Sequence, residues 1–167
     1  LSAGRNWKEI LSDAQAGGLL GHYIFSSRPL LNPAAFVAMR LLKAAARMMF
    51  GLQSYGLEKL PAKAPFLLCP NHESFLDGPL LASILPRRII YNILILGYSD
   101  YWANALSRQI ARACNIVAID PNANLIRAMQ VGAAGLKYGR ALLIFPEGTR
   151  SIDGRVAEFK KGAAILS

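Results

Sequence analysis

Phe66-Leu67-Leu68-Cys69-Pro70-Asn71-His72-Glu73-Ser74-Phe75-Leu76-Asp77-Gly78-Pro79 is a short apolar run that breaks into a polar loop and then into a helix start. Four apolar residues closed by a proline are too few for a buried helix and fit a strand, Phe66 to Cys69, covered on both faces. The same order recurs at Ala141-Leu142-Leu143-Ile144-Phe145-Pro146-Glu147-Gly148-Thr149-Arg150-Ser151, with a strand over Ala141 to Phe145. Between them the spacing predicts a short helix from Pro79 to Leu85, a strand from Arg88 to Leu96, and a helix from Trp102 to Ala113 carrying Leu106 and Ile110. A strand from Asn115 to Ile119 follows, then a helix from Asn122 to Tyr138 with Leu125, Met129 and Leu136 on one face. Strands alternating with helices give an α/β fold, two-layer or sandwich, with a mixed, largely parallel sheet.

Upstream the texture is helical. Trp7, Ile10, Leu11 and Ala14 have helical spacing over residues 7 to 25, with a bend at Gly17-Gly18, and Asn32-Pro33 opens a second helix that runs to Phe50. At about 100° per residue its cations Arg40, Lys43 and Arg47 fall within roughly 60° of arc, opposite Leu42, Ala45, Met49 and Met39. Two readings of that basic stripe stand side by side: a solvated face on a helix docked to the core, or an interfacial helix whose cations meet anionic headgroups. The chain is thus expected to divide into amphipathic helices over residues 1–52, membrane-associating on the second of those readings, and an α/β domain over 53–167.

The 167 residues are 53% hydrophobic, enough for one well-covered core. Nineteen Lys and Arg against ten Asp and Glu leave a net charge of +9, a field that attracts lipid headgroups, nucleic acid, coenzyme A or an acidic carrier protein. Cys69 and Cys114 lack metal-ligand spacing and read as reduced core thiols, which excludes a disulfide-stapled secreted domain. No charge-free apolar run reaches the ~20 residues of a spanning helix, so membrane attachment is expected to be peripheral. A start at Leu1 and a stop inside a helical run at Ser167 read as cut ends of a longer polypeptide.

The two loops carry the chemistry. His72 lies just past a strand end, where α/β sheets place their sites, and Asp77 five positions on can fold back onto one ring nitrogen. A carboxylate there fixes the tautomer and supports the imidazolium, leaving the other nitrogen to accept a proton. The plainer alternative makes Asp77 a helix N-cap and His72 a surface residue. In the second loop Arg150 suits bidentate contact with a phosphate, Gly148 allows close backbone approach, and the Thr149 and Ser151 hydroxyls are further donors. The plainer alternative there is a Glu147–Arg150 ion pair that stitches the turn.

Together these segments resemble the glycerolipid acyltransferase family, whose members acylate glycerol phosphate, lysophosphatidate and lysophospholipids. The family's Asn-His-x-x-x-x-Asp signature is matched at Asn71, His72 and Asp77, with Ser74 inside it, and its Phe-Pro-Glu-Gly-Thr-Arg-Ser signature at Phe145 to Ser151. The basic Gly-Ala sequel follows as Phe159-Lys160-Lys161-Gly162-Ala163. The resemblance implies that His72 is the base, Asp77 its partner, and Glu147, Gly148, Thr149, Arg150, Ser151 and Lys160 the acceptor-phosphate site. It implies acyl-CoA or acyl-ACP as donor, direct attack without an acyl-enzyme, no cofactor and no metal. One departure stands out: Pro121, after Val117-Ala118-Ile119-Asp120, occupies the place of the family's phosphate-binding arginine, with Arg127 two helical turns on. The family's fourth motif would lie beyond Ser167.

The reading that follows is an acyltransferase acting on a membrane lipid or lysophospholipid acceptor at the cytoplasmic face of a membrane. The alternative is a non-catalytic lipid-binding or scaffold domain on the same fold. Nucleic-acid binding has only the net charge in its favour, because aromatic and basic residues are not interleaved.

Overall fold

The computed structural model describes Asn6, Leu11 and residues 31 to 167. The expected helix over residues 7 to 25 lies outside that range except for Leu11, which is helical. The elements are α1 (Leu31–Phe50), β1 (Phe66–Leu68), α2 (Asp77–Ile84), α3 (Arg87–Ile90), β2 (Ile93–Tyr98), α4 (Ala105–Ala113), β3 (Ile116–Ile119), α5 (Pro121–Lys137), β4 (Ala141–Leu143) and α6 (Gly162–Leu166). Single 3₁₀ turns add Leu57–Lys59 and Ser99–Trp102.

All four strands run parallel in the order β1-β4-β2-β3. Alternation along the strands separates two cores. Leu94, Val117 and Leu142 meet Met129, Val131 and Ala134 of α5 and Leu166 of α6 on one face, with Leu11 packed against them. Ile93, Ile95, Ala141 and Leu143 meet Leu85 and Ile89 on the other. The result is three layers, helix, sheet and helix. Residues such as Leu94, Leu142 and Leu143, at most 1% exposed, each gain about 1.5–3 kcal/mol from burial. Gly135 lets α5 lie flat on β2, since a Cβ there would come within 2.6 Å of a Leu94 methyl.

One expected strand is corrected. Arg88 to Leu96 begins as a helical turn, α3, and the strand starts only at Ile93. Pro86 sets that turn: its carbonyl accepts from the N–H groups of Ile89 and Ile90 at 2.9 and 3.1 Å. The β-branched pair Ile89-Ile90 imitates a strand in sequence, yet Ile89 is buried beneath the sheet rather than in it. The next helix starts at Ala105, not Trp102, because the Asn104 side chain caps it by accepting from Ser107 N–H at 2.7 Å. Its Leu106 and Ile110 stand exposed, and Ala111 is its buried contact. Cys69 is no core thiol either: it is exposed where the chain leaves β1, and both cysteines are free.

Helix α1 forms where the sequence places it but is turned differently. It docks on α2 with Ala46 buried. The Arg40 guanidinium is drawn in, donating to the Leu85 carbonyl and stacking over Phe36 at 4.7 Å. Val37, Leu41, Met48, Met49 and Phe50 point outward at 56–87% exposure. The outward face lies roughly 50–70° from the direction opposite the cations and still includes Met49, so the helix presents an apolar stripe with cations along one border. No helix among the described residues is long and apolar enough to cross a membrane.

Candidate active site

Strands β1 and β4 are neighbours, with Leu68 opposite Leu143, so the loops that leave their carboxyl ends start side by side. The two sequence signatures, 75 residues apart, are thereby brought into one crevice. His72 N–H donates to Glu147 Oε1 at 2.7 Å, and Ser151 N–H donates back to the His72 carbonyl at 2.7 Å. The imidazole stacks on the Phe145 ring, centroids 3.9 Å apart and planes 20° from parallel. The peptide groups and the ring of His72 are thus all held by the second loop.

Asp77 folds back as the five-residue spacing requires. Its Oδ2 lies 3.0 Å from His72 Nδ1 and also accepts from the N–H groups of Glu73 at 2.7 Å and Ser74 at 2.8 Å. Three donors converge on one oxygen, which assigns the Nδ1–H tautomer to a neutral His72 and leaves Nε2 as proton acceptor. Asp77 is the first residue of α2 but caps no helix; Leu76 stands at the cap position, without a side-chain bond. Burial pushes the Asp77 carboxyl upward, and it is outweighed by the Ser74, His72 and Glu73 hydrogen bonds and the nearby imidazole, so it titrates below the usual carboxylate range. Both side chains remain about one-fifth exposed.

Glu147 is 2% exposed, and both of its oxygens are taken: Oε1 by His72 N–H and Oε2 by Ala157 N–H at 2.8 Å. No pair with Arg150 forms. The carboxylate acts as a strut joining three loop segments. Gly148 has φ +72°, and a Cβ there would come within 2.8 Å of Lys160 Nζ. Lys160 is held in turn by its N–H to the Pro146 carbonyl at 2.8 Å, so its ammonium lies across the loop that carries Arg150. Thr149 and Arg150 are exposed. The Ser151 hydroxyl donates to Asp153 at 3.3 Å. Arg127 is exposed on α5, whose first residue is Pro121. The result is a base with one free nitrogen beside a loop bearing two cations.

The sequence reading gave no role to Phe145 or Phe75. Phe145 supports the imidazole face; it opens the second signature, but nothing in the sequence pairs it with His72. Phe75 lies under Arg150, with nothing local in the sequence to point to it.

The family model for acyltransferases matches residues 51–167. The chain belongs to the acyltransferase family. This acyltransferase-family chain is 33% identical over 142 residues to a chloroplastic 1-acyl-sn-glycerol-3-phosphate acyltransferase of Arabidopsis thaliana, covering 79% of the chain and 36% of that protein. It is 31% identical over 170 residues to the 1-acyl-sn-glycerol-3-phosphate acyltransferase of Pseudomonas aeruginosa, covering 95% of the chain and 62% of that protein. Its fold matches the crystal structure of the 1-acyl-sn-glycerophosphate acyltransferase PlsC of Thermotoga maritima with a TM-score of 0.63 and 23% identity, over 94% of this chain and 62% of that one. The chain spans between about one-third and three-fifths of the length of these relatives.

Proposed function

We infer that this acyltransferase moves a fatty acyl group from a thioester of coenzyme A or acyl carrier protein to the hydroxyl of lysophosphatidate, a lysophospholipid or glycerol phosphate. The observation that carries the reading is the 3.0 Å contact of His72 Nδ1 with Asp77 Oδ2, set beside the Arg150–Lys160 loop. The names of the relatives favour lysophosphatidate among the acceptors. In the step proposed, His72 Nε2 takes the proton of the acceptor hydroxyl as its oxygen attacks the thioester carbonyl. Collapse of the tetrahedral adduct breaks the C–S bond, and the imidazolium returns the proton to the departing thiolate, giving an ester and a free thiol. No cofactor is needed for this balance. Arg150 and Lys160 hold the acceptor phosphate, and Gly148, Thr149 and Ser151 shape the loop that carries them.

Incubation of the full-length protein with acyl-CoA or acyl-ACP and, in turn, lysophosphatidate, lysophosphatidylcholine and glycerol 3-phosphate tests the reading. Lipid binding without turnover on any acceptor would leave the scaffold alternative. Arg150→Ala is expected to raise the acceptor KM about ten-fold with little change in donor KM, the cost of a charge-assisted contact at an exposed site. Equal changes in both constants would remove Arg150 from the acceptor site.

The outward stripe of α1 supports peripheral attachment to one leaflet of a membrane, which we take to be the cytoplasmic one. Val37, Leu41 and Met48 enter the acyl region while Arg47 meets headgroups. Leu41→Asp with Met48→Asp is expected to lower vesicle binding at least ten-fold, because two buried apolar side chains are lost. Raising salt should weaken binding much less than that. Co-sedimentation with anionic and neutral vesicles measures both, and binding abolished by salt alone would return the cations to the leading role.

A further inference from the structure

Phe75 is a large aromatic residue in the loop between His72 and Asp77, yet it is 55% exposed and contributes to neither core. Its neighbours explain why it is there. The Arg150 guanidinium carbon lies 3.4 Å from the centre of its ring. Tyr101, from the 3₁₀ turn after β2, meets the same ring edge-on, with centroids 5.1 Å apart and planes at 86°, and Tyr98 flanks Tyr101 at 5.9 Å. Among the described residues no carboxylate or carbonyl accepts from the Arg150 guanidinium. The aromatic face is therefore what restrains a long, exposed side chain that would otherwise sample many rotamers. Stacking occupies the face of the guanidinium and leaves the N–H groups on its edge free, the arrangement that a bidentate phosphate contact requires.

We propose that Phe75, braced by Tyr101, is a positioning residue that holds Arg150 ready for the acceptor phosphate. This rests on the reading of Arg150 as a phosphate contact. It also couples the two loops: the platform belongs to the segment that carries the base, so the phosphate of a bound acceptor is located relative to His72 rather than to the Arg150 loop alone.

The test is steady-state kinetics of the full-length protein with palmitoyl-CoA and lysophosphatidate, for Phe75→Leu, Phe75→Tyr, Arg150→Ala and the double variant Phe75→Leu/Arg150→Ala. Leucine keeps apolar bulk without a π face, whereas tyrosine keeps the face. Phe75→Leu is expected to raise the acceptor KM about two- to five-fold, the range of an exposed cation–π contact, with kcat and donor KM unchanged. Phe75→Tyr should stay within error of the parent, and Phe75→Leu should add nothing once Arg150 is alanine. A fall in kcat shared by both Phe75 variants, or a Phe75→Leu effect that persists without Arg150, would overturn the proposal and make the ring a prop for the His72 loop. A raised acceptor KM in Arg150→Ala with no change in Phe75→Leu would overturn it while leaving Arg150 at the phosphate. An unchanged acceptor KM in Arg150→Ala would overturn both.

Discussion

His72→Ala is expected to lower acyl transfer by about 10²–10⁴-fold while leaving the folded protein and its vesicle binding intact. The side chain is one-fifth exposed, so its loss opens no deep cavity, and the backbone bonds to Glu147 and Ser151 do not need the ring. Asp77 gives the finer test. Amidation of a triad aspartate elsewhere costs about 10⁴-fold because the amide leaves the histidine in the wrong tautomer. Here all three donors point at a single oxygen, Oδ2, and an asparagine can aim its carbonyl there and keep every bond. Asp77→Asn therefore loses the charge but not the tautomer, and a loss of about ten-fold is expected, the difference between a charge-assisted and a neutral hydrogen bond. Asp77→Ala, which frees two backbone N–H groups and the ring, should fall much further. Since histidine and carboxylate act as one unit, Asp77→Asn should add little to His72→Ala. Near-parental turnover in a folded His72→Ala protein would defeat the mechanism. The depressed Asp77 carboxyl sets a pH signature as well. Its contribution to stability is complete above the unfolded-state value near 3.9 and disappears as pH falls through the lower folded-state value. Asp77→Asn should then be less stable than the parent at neutral pH, and the gap should close in acid unfolding.

The second large effect is expected at Glu147. Glu147→Ala leaves the part-buried His72 and Ala157 N–H groups without their acceptor, and two such bonds to a carboxylate are together worth about 3–5 kcal/mol. Glutamine is not a conservative replacement, because both oxygens receive N–H groups and the amide must set its own NH₂ against one of them. Glu147→Gln should lose about 1–3 kcal/mol in urea unfolding. Its kcat should fall with stability, since the His72 backbone is released, and the acceptor KM should move less than in Arg150→Ala. A glutamine variant with parental stability and an altered acceptor KM would instead place the side chain against the acceptor.

The contrast between these residues shows what the sequence could disclose. The His72–Asp77 contact spans five positions, and spacing alone foretells that a turn can close it. The alternation of apolar runs and loops likewise gives the strands at Phe66 and Ala141 and the helix at α5. What spacing does not contain is the register that sets Leu68 against Leu143, and everything that depends on it stays hidden. Glu147 reads as a ligand because the two N–H donors that define its work are 75 and 10 residues away. Phe75 has no local partner, so its use emerges only when Arg150 arrives from the other loop. The facing of α1 is hidden for a related reason: the cations cluster on one side of a helical wheel, but the carbonyl of Leu85 and the ring of Phe36 pull Arg40 inward, and a helical wheel knows nothing of either. At Arg88 to Leu96 a proline carbonyl outweighed the strand preference of two isoleucines.

The strand order has a further consequence for how the protein is born. β4 comes last in sequence among the described strands, yet it lies in the interior of the sheet, between β1 and β2. A nascent chain that has emerged only as far as α5 holds three of the described strands with a vacant slot among them, and β1 lacks its partner β4. Closing the sheet then joins segments with a long stretch of chain between them, a high-contact-order step that nucleates slowly and keeps apolar edges waiting. Because the segment that follows the same strand brings Phe145 and Glu147 to His72, the closing of the sheet and the bracing of the imidazole and its backbone are one event.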